Sequence, residues 1–303
     1  MRTRFPADRG LSSRMLFTMF LLGLLYVLFV VGLFVLSEGR FLPALVIAVG
    51  FLAFQYFASD RIALFSMGGR EVSPQEAPIL HGIVDRLCTL ADMPKPRVAI
   101  ADSDIPNAFA TGRDQNHAVV CATTGLMRRL DEPELEAVLA HELSHVAHRD
   151  VAVMTIAGFL GIAAGLITRF AYYSGLFGGF GRRDERDSGV PIVLVVMLVS
   201  AVVYALSFLL TRALSRYREL SADRGAAVLT GRPSTLASAL VKVSGEMRRI
   251  PTSDLRSAEP LNAFFFVPAL APGFSLSSLF ATHPPLERRL EQLAKIEKQM
   301  GTA

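Results

Sequence analysis

The sequence predicts a mainly α membrane protein, in which four hydrophobic helices are joined to a polar α+β part with a small sheet. Apolar residues make up 51% of the chain and gather into four long runs, where a soluble core would disperse them. The polar stretches between and after the runs alternate between helical and strand-like periodicity. Most of the basic excess behind the net charge of +4 is arginine beside the runs, which points to membrane topology. No nucleic-acid motif or aromatic-interleaved basic stretch is present, so nucleic acid is not an expected partner. Cys88 and Cys121 are the only cysteines and form no C-x-x-C pair, which disfavours a disulfide framework and fits a reducing compartment.

Residues 1–14 form a basic arm carrying Arg2, Arg4, Arg9 and Arg14. The first run, Met15 to Leu36, has no charged residue and is long enough to span a bilayer, which takes about 20 apolar residues. A cleaved signal peptide is disfavoured by the length of the run, by the lack of a small-x-small site after it and by the prompt start of the next run. That second run, Phe41 to Ala58, follows Ser37-Glu38-Gly39-Arg40, so residues 15–58 read as a helical hairpin with Pro43 tolerated in a first turn. The third run, Val151 to Thr168, and the fourth, Val190 to Leu210, make a second hairpin over 151–210. Gly158, Gly161 and Gly165 allow close helix approach in the third run, whose borderline length also fits a buried core helix. The arginine-rich arm favours a cytoplasmic start, which puts 59–150 and 211–303 in the cytoplasm and the loop 169–189 outside. The four arginines of that loop fit the rule poorly.

In the first polar stretch, Glu76 to Ala91 reads as an amphipathic helix with Ile79, Leu80, Ile83, Val84 and Leu87 at helical spacing. Arg97 to Ala101, Asn107 to Gly112 and His117 to Ala122 are strand candidates, the last two joined by Gly112-Arg113-Asp114. From Asp131 a strong helix is expected: Asp131 caps, Glu134 completes a capping box and Pro133 falls in the first turn. Beyond Gly231 a Pro/Ser-rich connector, 250–281, contains Phe264-Phe265-Phe266, read as buried packing, and Pro284 to Gln299 is a final charged helix.

The capped helix contains His141-Glu142-Leu143-Ser144-His145, the pattern H-E-x-x-H. Residues four apart share a helical face, so both imidazoles can reach one zinc ion, and Glu142 is offset to act as general base. A catalytic zinc takes three protein ligands and keeps one position open. His148 shares the face of His141, but seven residues at 1.5 Å rise separate them by ~10 Å, so one ion cannot bind both. Glu219 is the best third ligand, with Asp223 four residues on to accept the free N–H of a liganding imidazole. Taken alone the pair reads better as a solvated face beside Arg216, Arg218 and Arg224; two crossings by runs three and four return Glu219 to the side that holds His141.

The order His-Glu-Leu-Ser-His, hydrophobic hairpin, Glu219-x-x-x-Asp223 resembles the HtpX family of membrane metalloproteases and the wider group that includes the prenyl-protein (CAAX) endoproteases. The amino-terminal hairpin, Asn107-Ala108-Phe109-Ala110-Thr111-Gly112 and Thr282-His283-Pro284-Pro285 extend the similarity over essentially the whole chain. The resemblance implies a gluzincin-like α+β catalytic domain in the cytoplasm, anchored as a multi-pass protein in the cell's plasma (inner) membrane. It implies one zinc per chain and ATP-independent cleavage of misfolded membrane proteins. It also implies that Asn107 and Ala108 lie on the edge strand that pairs with substrate, that His283 stabilises the oxyanion, and that Arg289 supports the site. An intramembrane protease is disfavoured by the charges around the motif, Arg128 to Glu136 before it and Arg149-Asp150 after it. A non-catalytic scaffold would have no chemical need for Glu142.

Overall fold

The computed structural model describes residues 9–37, 42–150, 153–154, 192–247, 249, 266 and 283–301. The first two apolar runs lie in helices α1 (Arg9–Ser37) and α2 (Leu42–Ser66). Leu16, Phe17, Phe20, Val27 and Leu28 of α1 point outward, as do Val46, Phe54, Phe57 and Ile62 of α2. Apolar area of this extent facing water is costly; a hydrocarbon phase satisfies it.

Of the four hydrophobic helices expected, one meets the length and apolarity needed to cross a membrane among the described residues: Met197–Thr230, which holds an 18-residue stretch with a mean hydropathy of 1.9. It belongs to the 39-residue helix α6 (Ile192–Thr230), which joins the fourth run and the Glu219/Asp223 segment without a break. Apart from Val153 and Met154, the third run and the loop after it lie outside the described residues. Those two side chains pack with Leu22 of α1 and Leu214 of α6, so the start of the third run sits against both helices.

The small sheet is present and mixed. Its strands β1 (Gly69–Glu71), β2 (Arg97–Ala101), β3 (Ala108–Thr111) and β4 (Val119–Thr123) run in the order β1-β2-β4-β3. β2 and β4 are parallel, and β1 and β3 pair antiparallel on the flanks, which makes β3 an edge strand. Three strands match the expected segments within two residues; β1 has only Gly-Arg-Glu, with no alternation to betray it. The β3–β4 turn depends on Gly112, whose φ is 137° and where a Cβ would lie 2.5 Å from the His117 carbonyl oxygen.

Helix α3 (Pro78–Ala91) buries Leu80, Ile83, Val84 and Leu87 as their spacing requires, whereas Ile79, assigned to the same face, is exposed. After the short α4 (Thr124–Arg129) comes α5 (Glu132–Ala147), which opens with both halves of the Asp131/Glu134 capping box. α5 lies between β3, α6 and α7 (Pro233–Met247), and α8 (Leu286–Gly301) packs on α6 and α7. Leu139 and Leu143 of α5, Leu126 of α4, and Leu236 and Leu240 of α7 fill the shared core.

Glu134 also ties α5 to α7. Its buried carboxylate accepts hydrogen bonds from Ser238 Oγ and Lys242 Nζ, each at 2.7 Å. Burial opposes the charge, but Lys242, Ser238 and the Asp131 amide outweigh it and hold the pKa below the usual 4.5. A lowered folded pKa means that the stabilisation is present above the unfolded value and is lost as pH falls through the folded one. Glu134→Gln should therefore lower Tm at pH 7 by about 1–2 °C, as a loss of order 1 kcal/mol does in a chain of this size. The gap from wild type should close on acidification, as a thermal scan at several pH values would read.

Candidate active site

Helix α5 carries His141, Glu142 and His145 on its buried side, and α6 brings Glu219 across to them. The two Nε2 atoms face each other at 3.2 Å. Glu219 Oε1 lies 3.4 Å from His145 Nε2, and Oε2 lies 3.7 Å from His141 Nε2. Ligand atoms around a tetrahedral ion with bonds of about 2.0–2.1 Å stand about 3.3 Å apart. The donor set, with one atom from each residue and all within 4.8 Å of one another, therefore fits a single metal ion. His148 is turned away, its Nδ1 2.7 Å from the Ser144 carbonyl oxygen.

Each imidazole has a carboxylate behind it. His141 Nδ1 is 3.0 Å from Asp223 Oδ1, and Arg289 grips Asp223 in a fork, Nε to Oδ2 at 2.8 Å and Nη2 to Oδ1 at 2.6 Å. His145 Nδ1 is 2.6 Å from Asp150 Oδ2, and Arg218 Nη2 is 2.9 Å from that same oxygen. A carboxylate on Nδ1 leaves the Nε2 lone pair for a metal. Burial disfavours charge on His145, yet the carboxylates of Asp150 and Glu219 outweigh it and raise the ring's pKa to about 10. Burial likewise opposes charge on Asp150, which Arg218 and His145 overcome, bringing it down to about 2.

Glu142 is buried, and burial raises its pKa above 4.5 against the pull of the two histidines. Its Oε2 accepts a hydrogen bond from the Ala110 amide of β3 at 3.0 Å. Asn107 stands just before that strand with its backbone turned toward Thr123 of β4: the Thr123 amide donates to Asn107 O at 2.9 Å, and the Asn107 amide donates to Thr123 Oγ1 at 2.9 Å. Bonding direction alternates along an antiparallel strand, so the Ala108 amide and carbonyl point away from β4, as those of Ala110 do, although Ala108 itself is buried.

Phe266, from the connector, enters the site and is buried. Its amide donates to Asn107 Oδ1 at 2.8 Å, and its carbonyl accepts from Arg289 Nη1 at 3.0 Å. Its ring stands edge-on to His141 with centroids 5.1 Å apart. His283 is also buried, with Nδ1 3.0 Å from Glu219 Oε2. The nine residues singled out from sequence are thus grouped around one cluster: His141, His145, Glu219, Asp223, Arg289 and His283 at its centre, Glu142 beside it, and Asn107 and Ala108 at the neighbouring strand.

Residues 74–297 match the model of Peptidase family M48. The chain belongs to Peptidase family M48. Among its relatives in that family, Protease HtpX homolog 1 of Streptomyces coelicolor is 60% identical over 303 residues, covering 100% of this chain and 98% of its own. Protease HtpX homolog of Moorella thermoacetica is 53% identical over 302 residues, covering 99% of each chain. A Pyrococcus furiosus Protease HtpX homolog is 41% identical over 271 residues, or 89% of this chain and 91% of its own. The fold is shared with Ste24p of S. mikatae, whose crystal structure aligns with a TM-score of 0.54 at 20% identity over 94% of this chain and 67% of that one. This M48 peptidase is a membrane metalloprotease that acts on protein substrates.

Three further residues complete the M48 site through contacts that no sequence pattern predicts. Asp150 reaches His145 from beyond the end of α5, after Arg149 adopts a left-handed φ of 55°, which no helical periodicity announces. Arg218 read as part of a charged face, although it is buried. The buried ring of Phe266 agrees with the packing expected of the triple Phe; its backbone ties to Asn107 and Arg289 depend on long-range folding.

Proposed function

We propose that this protein is a zinc-dependent endopeptidase that hydrolyses misfolded or damaged membrane proteins in protein quality control. The convergence of His141 Nε2, His145 Nε2 and the Glu219 carboxylate at tetrahedral spacing carries this reading. A bound zinc would supply Lewis acidity, acidifying a water and polarising the scissile carbonyl. Glu142, buried with a raised pKa, takes the proton of the attacking water and delivers it to the leaving amine. Asp223, itself held by Arg289, orients His141. The β3 edge at Ala108, whose amide and carbonyl point away from β4, would accept substrate as an added strand, a binding mode with little side-chain selectivity, and Asn107 supports that edge and holds Phe266. A casein-type assay on detergent-purified protein tests the reading: cleavage should stop with a chelator and return with zinc.

His283 is proposed to donate to the oxyanion that develops at the scissile carbonyl; its position beside Glu219 supports this. His283→Ala should keep its zinc and lose about 10²–10³ in kcat, as removal of one oxyanion donor does. KM should change little, because the interaction is made mainly in the transition state. Full kcat would make the residue structural, and lost zinc would make it a ligand.

The proposed topology has two hydrophobic hairpins and a cytoplasmic catalytic domain in the plasma membrane. Cys88 and Cys121 are free and buried, and burial pushes their thiols up to about 11 and about 12. The fold thus shields both from an impermeant maleimide whichever side they occupy. An added cysteine in place of Ser188 should label from outside intact cells, with one in place of Glu38 as control. Labelling at Glu38 without labelling at Ser188 would rule out the second hairpin.

A further inference from the structure

We infer that Asp150 and Arg218 form a positioning pair for His145, fixing the second imidazole of the metal centre and docking the helix that brings Glu219. This rests on the metal reading above. The pattern is visible in the pairing of the two rings: His141 is backed by Asp223 and Arg289, and His145 is backed by Asp150 and Arg218. Asp150 and Arg218 are both buried, and they come from different parts of the chain.

The backbone is shaped for this contact. Helix α5 ends at Ala147, with the His148 amide donating to Ser144 O at 3.0 Å and the Arg149 amide to Val146 O at 3.1 Å. Arg149 then takes φ 55°, a left-handed conformation disfavoured for a residue with a Cβ. The turn folds Asp150 back onto His145, where a continued helix would carry it onward. Asp150 Oδ2 receives both the ring, at 2.6 Å, and the Arg218 guanidinium, at 2.9 Å. A carboxylate on Nδ1 holds the ring with Nε2 toward Glu219, and a buried carboxylate needs a cation to offset its charge. Arg218 meets that need from the residue preceding Glu219, so one ion pair orients a ligand on α5 and docks the helix that supplies the next.

The test is Zn²⁺ affinity of the full-length, detergent-solubilised protein, read by competition with a chromophoric chelator, with Co²⁺ absorption as a second readout. Asp150→Ala should weaken zinc binding by ~10–100-fold, as changes behind a metal ligand do. Asp150→Asn keeps an acceptor oxygen and should lose less. Arg218→Gln should weaken binding in the wild-type background and have no further effect on Asp150→Ala, since it acts through that carboxylate. The Co²⁺ bands should shift in both single variants, which a merely structural role would leave unmoved. Should Asp150→Ala fail to fold, Asp150→Asn and Arg218→Gln carry the same test. Wild-type zinc affinity with unshifted Co²⁺ bands in these variants would overturn the inference while leaving the metal centre standing. A wild-type protein that takes up no zinc would instead reject the metal reading on which the pair depends.

Discussion

Glu142→Gln is expected to abolish measurable peptide cleavage while the protein keeps its metal. The carboxylate is buried, and its Oε2 is fixed by the Ala110 amide beside the two histidines. Glutamine preserves the volume and can still accept from Ala110, so the fold and the three donor atoms of His141, His145 and Glu219 survive. It cannot accept a proton from water. General-base catalysis contributes typically ~10²–10⁴ in rate, enough to take slow proteolysis below detection. Cleavage rate and metal content, measured on the same preparation, check the two halves separately. Turnover near wild type would remove Glu142 from the role of base.

The second large effect concerns Glu219. Glu219→Ala should lose most of the metal, and activity with it, because the three-donor cluster found among the described residues is then reduced to two imidazoles on one helix. The carboxylate lies 3.4 Å from His145 Nε2 and is the sole contribution of α6 to the three-atom cluster. Asp223→Ala should weaken binding less, by ~10–100-fold, since it touches the ring nitrogen of His141 on the side away from the cluster. Metal content after dialysis ranks the two. A full complement retained by Glu219→Ala would mean that the third donor lies elsewhere.

What was legible in the sequence was local. The α5 helix announces itself by the Asp131/Glu134 capping box and by Pro133 in its first turn, and these sit where the structure has the helix begin. The spacing of His141 and His145 needs only helical geometry to bring both rings to one face. Bringing Glu219 to them required a further argument, that the chain returns to the same side after two apolar runs, and the structure has α6 lying along α5. Interactions made by departures from regular structure left no trace. Arg149 turns left-handed without glycine, so nothing in the sequence places Asp150, which ends the polar segment before the third run, against His145. Phe266 reaches Asn107 across 159 positions of chain, a separation over which neither composition nor periodicity carries information. Ile79 shows the opposite failure, since its spacing matched the apolar face of α3 and the side chain is nonetheless exposed.

Catalysis as proposed requires one zinc ion held by His141, His145 and Glu219. Quantitative metal analysis of the detergent-purified full chain, before and after chelation and with cleavage assayed in parallel, tests it most directly. One zinc per chain is expected, with zinc and cleavage lost together on chelation and both recovered on adding zinc back. Proteolysis that persists in chains verified to be free of metal would contradict it.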